Sequence, residues 1–329
     1  MPFALSNPRR LACAAAVLVA LLPSLASAQS FPSKPVHVII SIPAGGAADV
    51  ILRMAGPEIQ KNLGQPLVLE NQPAMSGVIA AEKVVKMPAD GYNLFFTTPS
   101  SMITVKFLSK NVRYDPEKDF TPVTAFVEPV STLVVHPSIP VNSLQEFIAY
   151  AKKNPGKLAY GTPGVGSVFH LVGEAFREAA GVEVLHVPYK GTITAVNDLA
   201  GGQIQWTLSA YPNVKPYVSS GKLKLLGWAS SKRFSAYPNI PTITEVLPNF
   251  EAPPSWFGLF APAGLPKPIL TRLNGDMVKA LNQPELKAKI EDLGNLVIAN
   301  SPEEYATLMR RGTEIFGKVF KAAGLKPED

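Results

Sequence analysis

The sequence predicts an α/β protein of two lobes, each a mostly parallel sheet flanked by helices, with two chain crossings between them. Three observations lead there. β-branched apolar runs alternate with segments of helical period along nearly the whole chain, the pattern of strand–helix–strand units. That pattern restarts near residue 130. The 32 prolines in 329 residues, against roughly 5% in ordinary soluble chains, are scattered singly between apolar runs and punctuate many short elements. This excludes a coiled coil, a long helical bundle, a collagen-like chain and a low-complexity linker.

Residues 1–28 are set apart from the fold. Arg9 and Arg10 precede an unbroken apolar run from Leu11 to Leu22, and Ala26-Ser27-Ala28 is a small-x-small cleavage site, together the parts of a signal peptide. Twelve apolar residues fall short of the ~20 that a membrane-spanning helix needs. Twin-arginine export is a poor match at Asn7-Pro8 and Leu11-Ala12, and Cys13, buried in the apolar run, makes a poor lipoprotein site. Ordinary secretion with cleavage after Ala28 is expected. The remaining 301 residues hold no cysteine, so disulfides, thiol chemistry, iron–sulfur clusters and thiolate zinc sites are excluded. With 47% apolar and 17% charged residues the chain can bury a core that holds without them. The mature part carries 29 basic and 25 acidic side chains in runs no longer than two, a solvated surface rather than a nucleic-acid footprint.

The first unit opens with a strand at Val36 to Ile42, a glycine turn, and a helix from about Ala47 to Leu63 that Gly64 stops and Pro57 should kink. Strands follow at Leu67 to Leu69 and, through the Asp90-Gly91 turn, at Tyr92 to Thr97, with a helix between them at Val78 to Lys86. The second unit begins with a strand at Thr132 to His136 and a capping box, Ser143-Leu144-Gln145-Glu146, whose helix ends near Asn154-Pro155. It continues with a strand at Leu158 to Gly161, a helix at Val168 to Ala180, a strand at Val184 to Val187 and a helix at Thr192 to Ala200. Strands at Ile204 to Leu208 and Leu223 to Ala229 complete it. The last quarter offers a strand at Phe257 to Phe260, a helix at Pro266 to Asn282, and a final helix opened by the box Ser301-Pro302-Glu303-Glu304 and running to about Ala323. It is too small to stand alone and is expected to pack back on the first unit. The proline-rich stretches Thr121 to Pro129 and Pro238 to Pro254 are read as the crossings. The resulting division is 29–127 and 251–329 for lobe 1 and 128–250 for lobe 2, with a ligand cleft between them.

Chemistry is carried by few residues. His37, His136, His170 and His186 lack metal-ligand spacing, so no metal site is expected. There is no nucleophile elbow, phosphate loop or dinucleotide fingerprint, which argues against an enzyme. Two glycine-bearing loops occupy matching places: Pro43-Ala44-Gly45-Gly46-Ala47-Ala48-Asp49 after the first strand, and Gly161-Thr162-Pro163-Gly164-Val165-Gly166-Ser167 in the second lobe. Glycine lets backbone amides approach a ligand, and a helix start presents unpaired N–H groups, so such loops bind anions without arginine. Either loop alone is as readily a plain turn; two at the carboxyl ends of strands, one per lobe, favour an anion site.

At these loops the chain resembles the substrate-binding proteins of the tripartite tricarboxylate transporters, the Bordetella uptake gene family. The resemblance is carried by Phe31-Pro32-Ser33-Lys34-Pro35, Ile42-Pro43-Ala44-Gly45-Gly46-Ala47-Ala48-Asp49, Ala89-Asp90-Gly91-Tyr92 and Tyr160-Gly161-Thr162-Pro163-Gly164-Val165-Gly166-Ser167 with His170-Leu171. It continues through Val187-Pro188-Tyr189-Lys190-Gly191, Gly201-Gly202-Gln203, Pro241-Thr242-Ile243-Thr244-Glu245 and Trp256-Phe257-Gly258-Leu259-Phe260-Ala261-Pro262-Ala263-Gly264. It implies a periplasmic binding protein of the Venus-flytrap, type II-like kind, closing on a small organic carboxylate, a di- or tricarboxylate or an aromatic acid, for a two-component membrane permease. It further implies a monomer with no cofactor and no catalysis. A sensing subunit for a signalling partner is the second reading, and a secreted α/β enzyme the third.

Carried over residue by residue, the resemblance puts Ala44, Gly45, Gly46 and Asp49 of lobe 1 and Thr162, Gly164, Val165, Gly166, Ser167 and His170 of lobe 2 at the ligand. Thr98, Ser100, Tyr189, Lys190, Gly191, Ser209 and Ala210 complete the cleft wall. Asp49 is expected to orient its helix rather than touch an anion, and His170 to brace its loop. Many relatives carry an aspartate where this chain reads Thr207-Leu208-Ser209-Ala210-Tyr211, which makes an amino-acid ligand a poor fit. Phe169 and Trp206 are read first as core packing and second as a stacking surface for an aromatic acid.

Overall fold

The computed structural model describes residues 31–235, 237–322 and 324. The signal-peptide reading lies outside them. Two sheets organise the chain. The first contains β1 (Val36–Ile40), β2 (Leu67–Asn71), β3 (Asn93–Thr97), β4 (Phe120–Pro129), β10 (Phe257–Pro262) and β11 (Asn295–Val297), in the order β11-β4-β10-β3-β1-β2. The second contains β5 (Ser131–Val135), β6 (Ala159–Thr162), β7 (Leu185–Pro188), β8 (Trp206–Ala210) and β9 (Lys224–Trp228), in the order β7-β6-β8-β5-β9.

Both sheets are mixed, which corrects the mostly parallel expectation. In the first, β1 runs parallel to β2 and β3, with Val38 opposite both Leu69 and Leu94, whereas β10 is antiparallel to β3 and β4. In the second, β6 is parallel to β7 and β8, but β5 is antiparallel to β8 and β9. The cause is the crossings. A strand that arrives from the other sheet without an intervening helix enters at the facing end and runs back against its neighbours.

Helices named by position fall close to expectation: α1 (Ala47–Leu63), α2 (Val78–Val84), α4 (Leu144–Lys153), α5 (Val168–Ala180), α6 (Thr192–Ala200), α9 (Lys267–Leu281) and α11 (Pro302–Ala322). Pro57 is accommodated inside α1, which remains one helix of 17 residues. Ser143 caps α4 by accepting the Glu146 N–H at 3.1 Å, and Ser301 and Glu304 exchange both bonds of a capping box. Shorter elements escaped the sequence reading: α3 (Val105–Leu108), α7 (Tyr211–Ser219), α8 (Ile243–Val246), α10 (Pro284–Asp292) and β11. Prolines at 212, 216 and 284 mask two of these helices, although proline in a first turn is compatible with a helix.

The largest correction is Thr121 to Pro129. Read as a proline-rich crossing, it is strand β4, and Pro122 is tolerated opposite Phe260 beside a register irregularity. The chain passes from β4 to β5 through Val130 alone. Because the link is so short, the apolar core is shared: one cluster joins Phe95, Phe260 and Trp256 of the first sheet region to Leu133, Trp206 and Phe176 of the second. The last helix, α11, lies across this seam, contacting β4 and also α5.

Candidate functional site

The ends of β1 and β3 carry the first candidate segments. Gly45 turns with φ +78°, and its N–H donates to Asp49 Oδ2 at 2.8 Å, while the Gly46 N–H donates to the Pro43 carbonyl at 3.0 Å. Both glycine amides are thus committed inside the loop. Asp49 is buried and also accepts from Arg53 Nε at 2.9 Å and from Asn71 Nδ2 at 2.9 Å; Asn71 reaches on to the Ile42 carbonyl. Burial pushes the Asp49 carboxyl up, but the bonds from Arg53, Gly45 and Asn71 outweigh it and hold the group below the usual carboxylate range. Asp49 therefore fastens the loop to its own helix. Gly46 adds no side-chain cap to α1, so its first-turn amides, Ala47 and Ala48 among them, have no helical partner. The sequence points to this helix start as a source of unpaired N–H groups without naming Ala47 and Ala48 individually.

Beside this loop lies a buried hydroxyl chain. Ser41 Oγ is 2.7 Å from Thr97 Oγ1, which is 2.5 Å from Ser101 Oγ. The turn Ala74–Gly77 presses on it; a Cβ on Gly77 would sit 2.6 Å from that of Ser41. Thr98 and Ser100 follow directly. Thr98 Oγ1 accepts the Ser100 N–H at 3.3 Å, and both residues are half-buried at the end of β3.

The second loop closes on its own side chains. Thr162 Oγ1 accepts the Gly164 N–H at 3.3 Å, Ser167 Oγ donates to the Gly164 carbonyl at 2.8 Å, and Ser167 caps α5 by accepting the His170 N–H at 3.2 Å. His170 Nδ1 accepts the Gly166 N–H at 3.0 Å, which puts its ring proton on Nε2. Its ring stacks on His186 at 4.1 Å, and His186 Nε2 lies 2.7 Å from Thr162 Oγ1. Burial lowers the pKa of both histidines, His186 to about 4, helped there by the neighbouring His170. Neutral rings are what the loop requires. Below them Tyr160 donates to Glu174 at 2.6 Å and Glu174 pairs with Arg177.

Tyr189, Lys190 and Gly191 stand beside this loop because β7 pairs with β6; the Tyr189 N–H donates to the Thr162 carbonyl at 2.8 Å. The Tyr189 ring packs on Gly161, and its hydroxyl, desolvated and bonded to Asp198, has its pKa pushed up to about 12. Lys190 is exposed, and Gly191 leads into α6 without a side-chain cap. Val165 is exposed at the loop tip. Ser209 is fully buried, its hydroxyl 3.4 Å from Asn213 Nδ2, so it faces away from solvent; Ala210 beside it is half-buried. Trp206 is enclosed between Tyr160 at 4.8 Å and Phe147 at 5.5 Å, the core-packing alternative. The second loop comes close to α3 of the first sheet region: a Cβ on Gly166 would lie 3.5 Å from Leu108.

Two mixed α/β sheets joined by a short crossing at Val130 and a longer one between β9 and β10, each turning a glycine loop and a helix start outward from strand ends, have the architecture of the solute-binding class of protein. The family model described as the tripartite tricarboxylate transporter family receptor matches residues 51–325, and the chain belongs to that family. A Pseudomonas sp. (strain P51) relative, the UPF0065 protein in the tcbD-tcbE intergenic region, is 31% identical over 96% of this chain and 95% of its own. Among solved structures, R. palustris Rpa4515 with adipate is 33% identical with a TM-score of 0.73, covering 91% of this chain and 100% of that one. MatC (Rpa3494) from Rhodopseudomonas palustris with bound malate is 32% identical with a TM-score of 0.67, covering 88% of this chain and 99% of that one.

Proposed function

We propose that this protein captures a small organic carboxylate in the periplasm, between the Ala44–Asp49 and Thr162–His170 loops, and delivers it to a tripartite tricarboxylate-type permease without chemical change. The observation that carries this is the pair of uncapped or loop-braced helix starts, α1 and α5, one per sheet, whose N-terminal amides and dipoles favour an anion. Relatives of known structure hold adipate and malate, both carboxylates. Lobe 1 comprises 29–127 and 251–329 and lobe 2 comprises 128–250. Residues 1–28 direct export, and the mature protein acts as a monomer. Within the cleft, Asp49, His170 and Ser167 hold loop geometry, Lys190 is the nearby cation, and the amides make the grip. Closing the lobes excludes water and strengthens those bonds.

A thermal-melt panel of adipate, malate, citrate and benzoate tests the proposal. A bound acid at a hundredfold its Kd adds about 2.7 kcal/mol and raises the melting temperature by several degrees, and its diamide does not. If a neutral sugar shifts the melt and every acid leaves it unchanged, the proposal fails. Tryptophan fluorescence is a poor readout, since Trp206, Trp228 and Trp256 are all fully buried in the cores.

A further inference from the structure

A cavity of about 350 Å³ lies where the two sheets join, and it holds none of the loop glycines and only Val168 of the Thr162–His170 segment. That volume is within the ~300–1,000 Å³ of small-molecule sites. Glu128 of β4 and Ser131 of β5 line it on either side of the first crossing, and Ser230, Ser231 and Phe250 to Ser255 come from the second. Its sides are α5, through Val168 and Val172, and α11, through Leu308, Arg311 and Ile315. The last three are spaced i, i+3, i+7 and share one helix face, so the guanidinium stands beside an apolar wall.

The polar groups of this lining are unequal. Glu128 is engaged by the Ser231 N–H at 2.8 Å and by its hydroxyl, and Glu251 at the mouth pairs with Lys318 at 2.9 Å. Arg311 is exposed and has no hydrogen-bond or ion-pair partner among the described residues, although its charge helps Lys318 to hold the Glu251 carboxyl below its usual range. Ser230 is 6% exposed, and its Oγ is buried with no hydrogen-bond partner. A buried hydroxyl without a partner is costly, and one side-chain torsion sets where it points.

We infer that this cavity is a second ligand site, taking an organic acid with an apolar body: the carboxylate pairs with Arg311 at the mouth, the body lies against Val172, Phe250, Leu308 and Ile315, and a hydroxyl at the far end meets Ser230. The inference is separable from the glycine-loop cleft, because of the residues in the two loops only Val168, the first residue of α5, also lines this cavity.

Titration calorimetry of the mature protein with 4-hydroxyphenylacetate and phenylacetate tests it. The hydroxylated acid is expected to bind saturably, and Arg311→Gln, a surface change, to weaken both acids about tenfold through loss of a charge-assisted bond. Ser230→Ala is expected to weaken 4-hydroxyphenylacetate alone and to raise the melting temperature of the unliganded protein. Gly45→Val, which disturbs the first glycine loop, leaves these constants unchanged. The inference is overturned if neither acid binds, if Arg311→Gln has no effect, or if Gly45→Val abolishes binding.

Discussion

Asp49 shows how one side chain can serve a site without meeting its ligand. Its carboxylate gathers Gly45, Arg53 and Asn71, so three segments of the first sheet region converge on one buried charge. Asp49→Asn keeps the shape but sets an amide NH₂ against donors, and a cost of about 2 kcal/mol is expected from charge-assisted hydrogen bonds of this kind. A lower urea midpoint at neutral pH with weaker carboxylate binding is the expected result; an unchanged midpoint would show that the loop holds by other means. His170 and His186 give the second loop a pH dependence. Their folded pKa values lie below the ordinary 6.5, so the unfolded chain binds protons first as the pH falls. Stability from neutral rings is present above pH 6.5 and declines as the pH drops towards about 4, where His186 titrates in the folded state. Melts recorded across that window should fall in the wild type and fall less steeply in His186→Gln.

At the scale of elements, the distance between helix and sheet is set by glycine. A Cβ on Gly173 of α5 would lie 2.5 Å from the Tyr160 ring of β6, and that ring is fixed by Trp206 and by its bond to Glu174. Gly173→Ala must push α5 from the sheet, and the Ser167 to His170 loop that starts α5 moves with it. A loss of about 2 kcal/mol is expected from overpacking, together with weaker ligand binding. Gly275 of α9 provides the contrast: it is exposed, with nothing within 4 Å of its would-be Cβ, so Gly275→Ala should stabilise by up to about 1 kcal/mol through helix propensity. Paired melts of the two variants separate packing from propensity, and equal shifts would contradict this account.

For the whole molecule, the crossings matter more than the sheets. Glu128 of β4 accepts from the Ser231 N–H and hydroxyl, tying the end of β4 to the second crossing. Glu128→Ala is expected to loosen the lobes, read as a larger unliganded radius of gyration in small-angle scattering that carboxylate reverses. An identical radius in both proteins would assign the hinge stiffness to the shared core instead. That core, running from Phe95 through Trp256 to Trp206, makes the two units one cooperative body, and a single unfolding transition follows from it.

Much of this was legible in the residues. Val168 to Ala180 and Thr192 to Ala200 are helices with the bounds that their caps and glycine stops announce, and the matching glycine loops mark strand ends because turn chemistry is local. Family membership was legible as well, since the motifs fall in order along the chain. What the sequence left open depends on partners distant in the chain. β4 reads as a proline-rich linker until β10 and β11 lie on either side of it, and the antiparallel strands of both sheets follow from where the chain crosses, which no local period records. The glycine amides are settled within their own loops, Gly45, Gly46 and Gly166 donating to Asp49, Pro43 and His170 three or four residues away. Local physics determined the elements and the loops by themselves. Tertiary structure alone decided the strand order and the antiparallel pairings, because those hydrogen bonds join segments far apart in the chain.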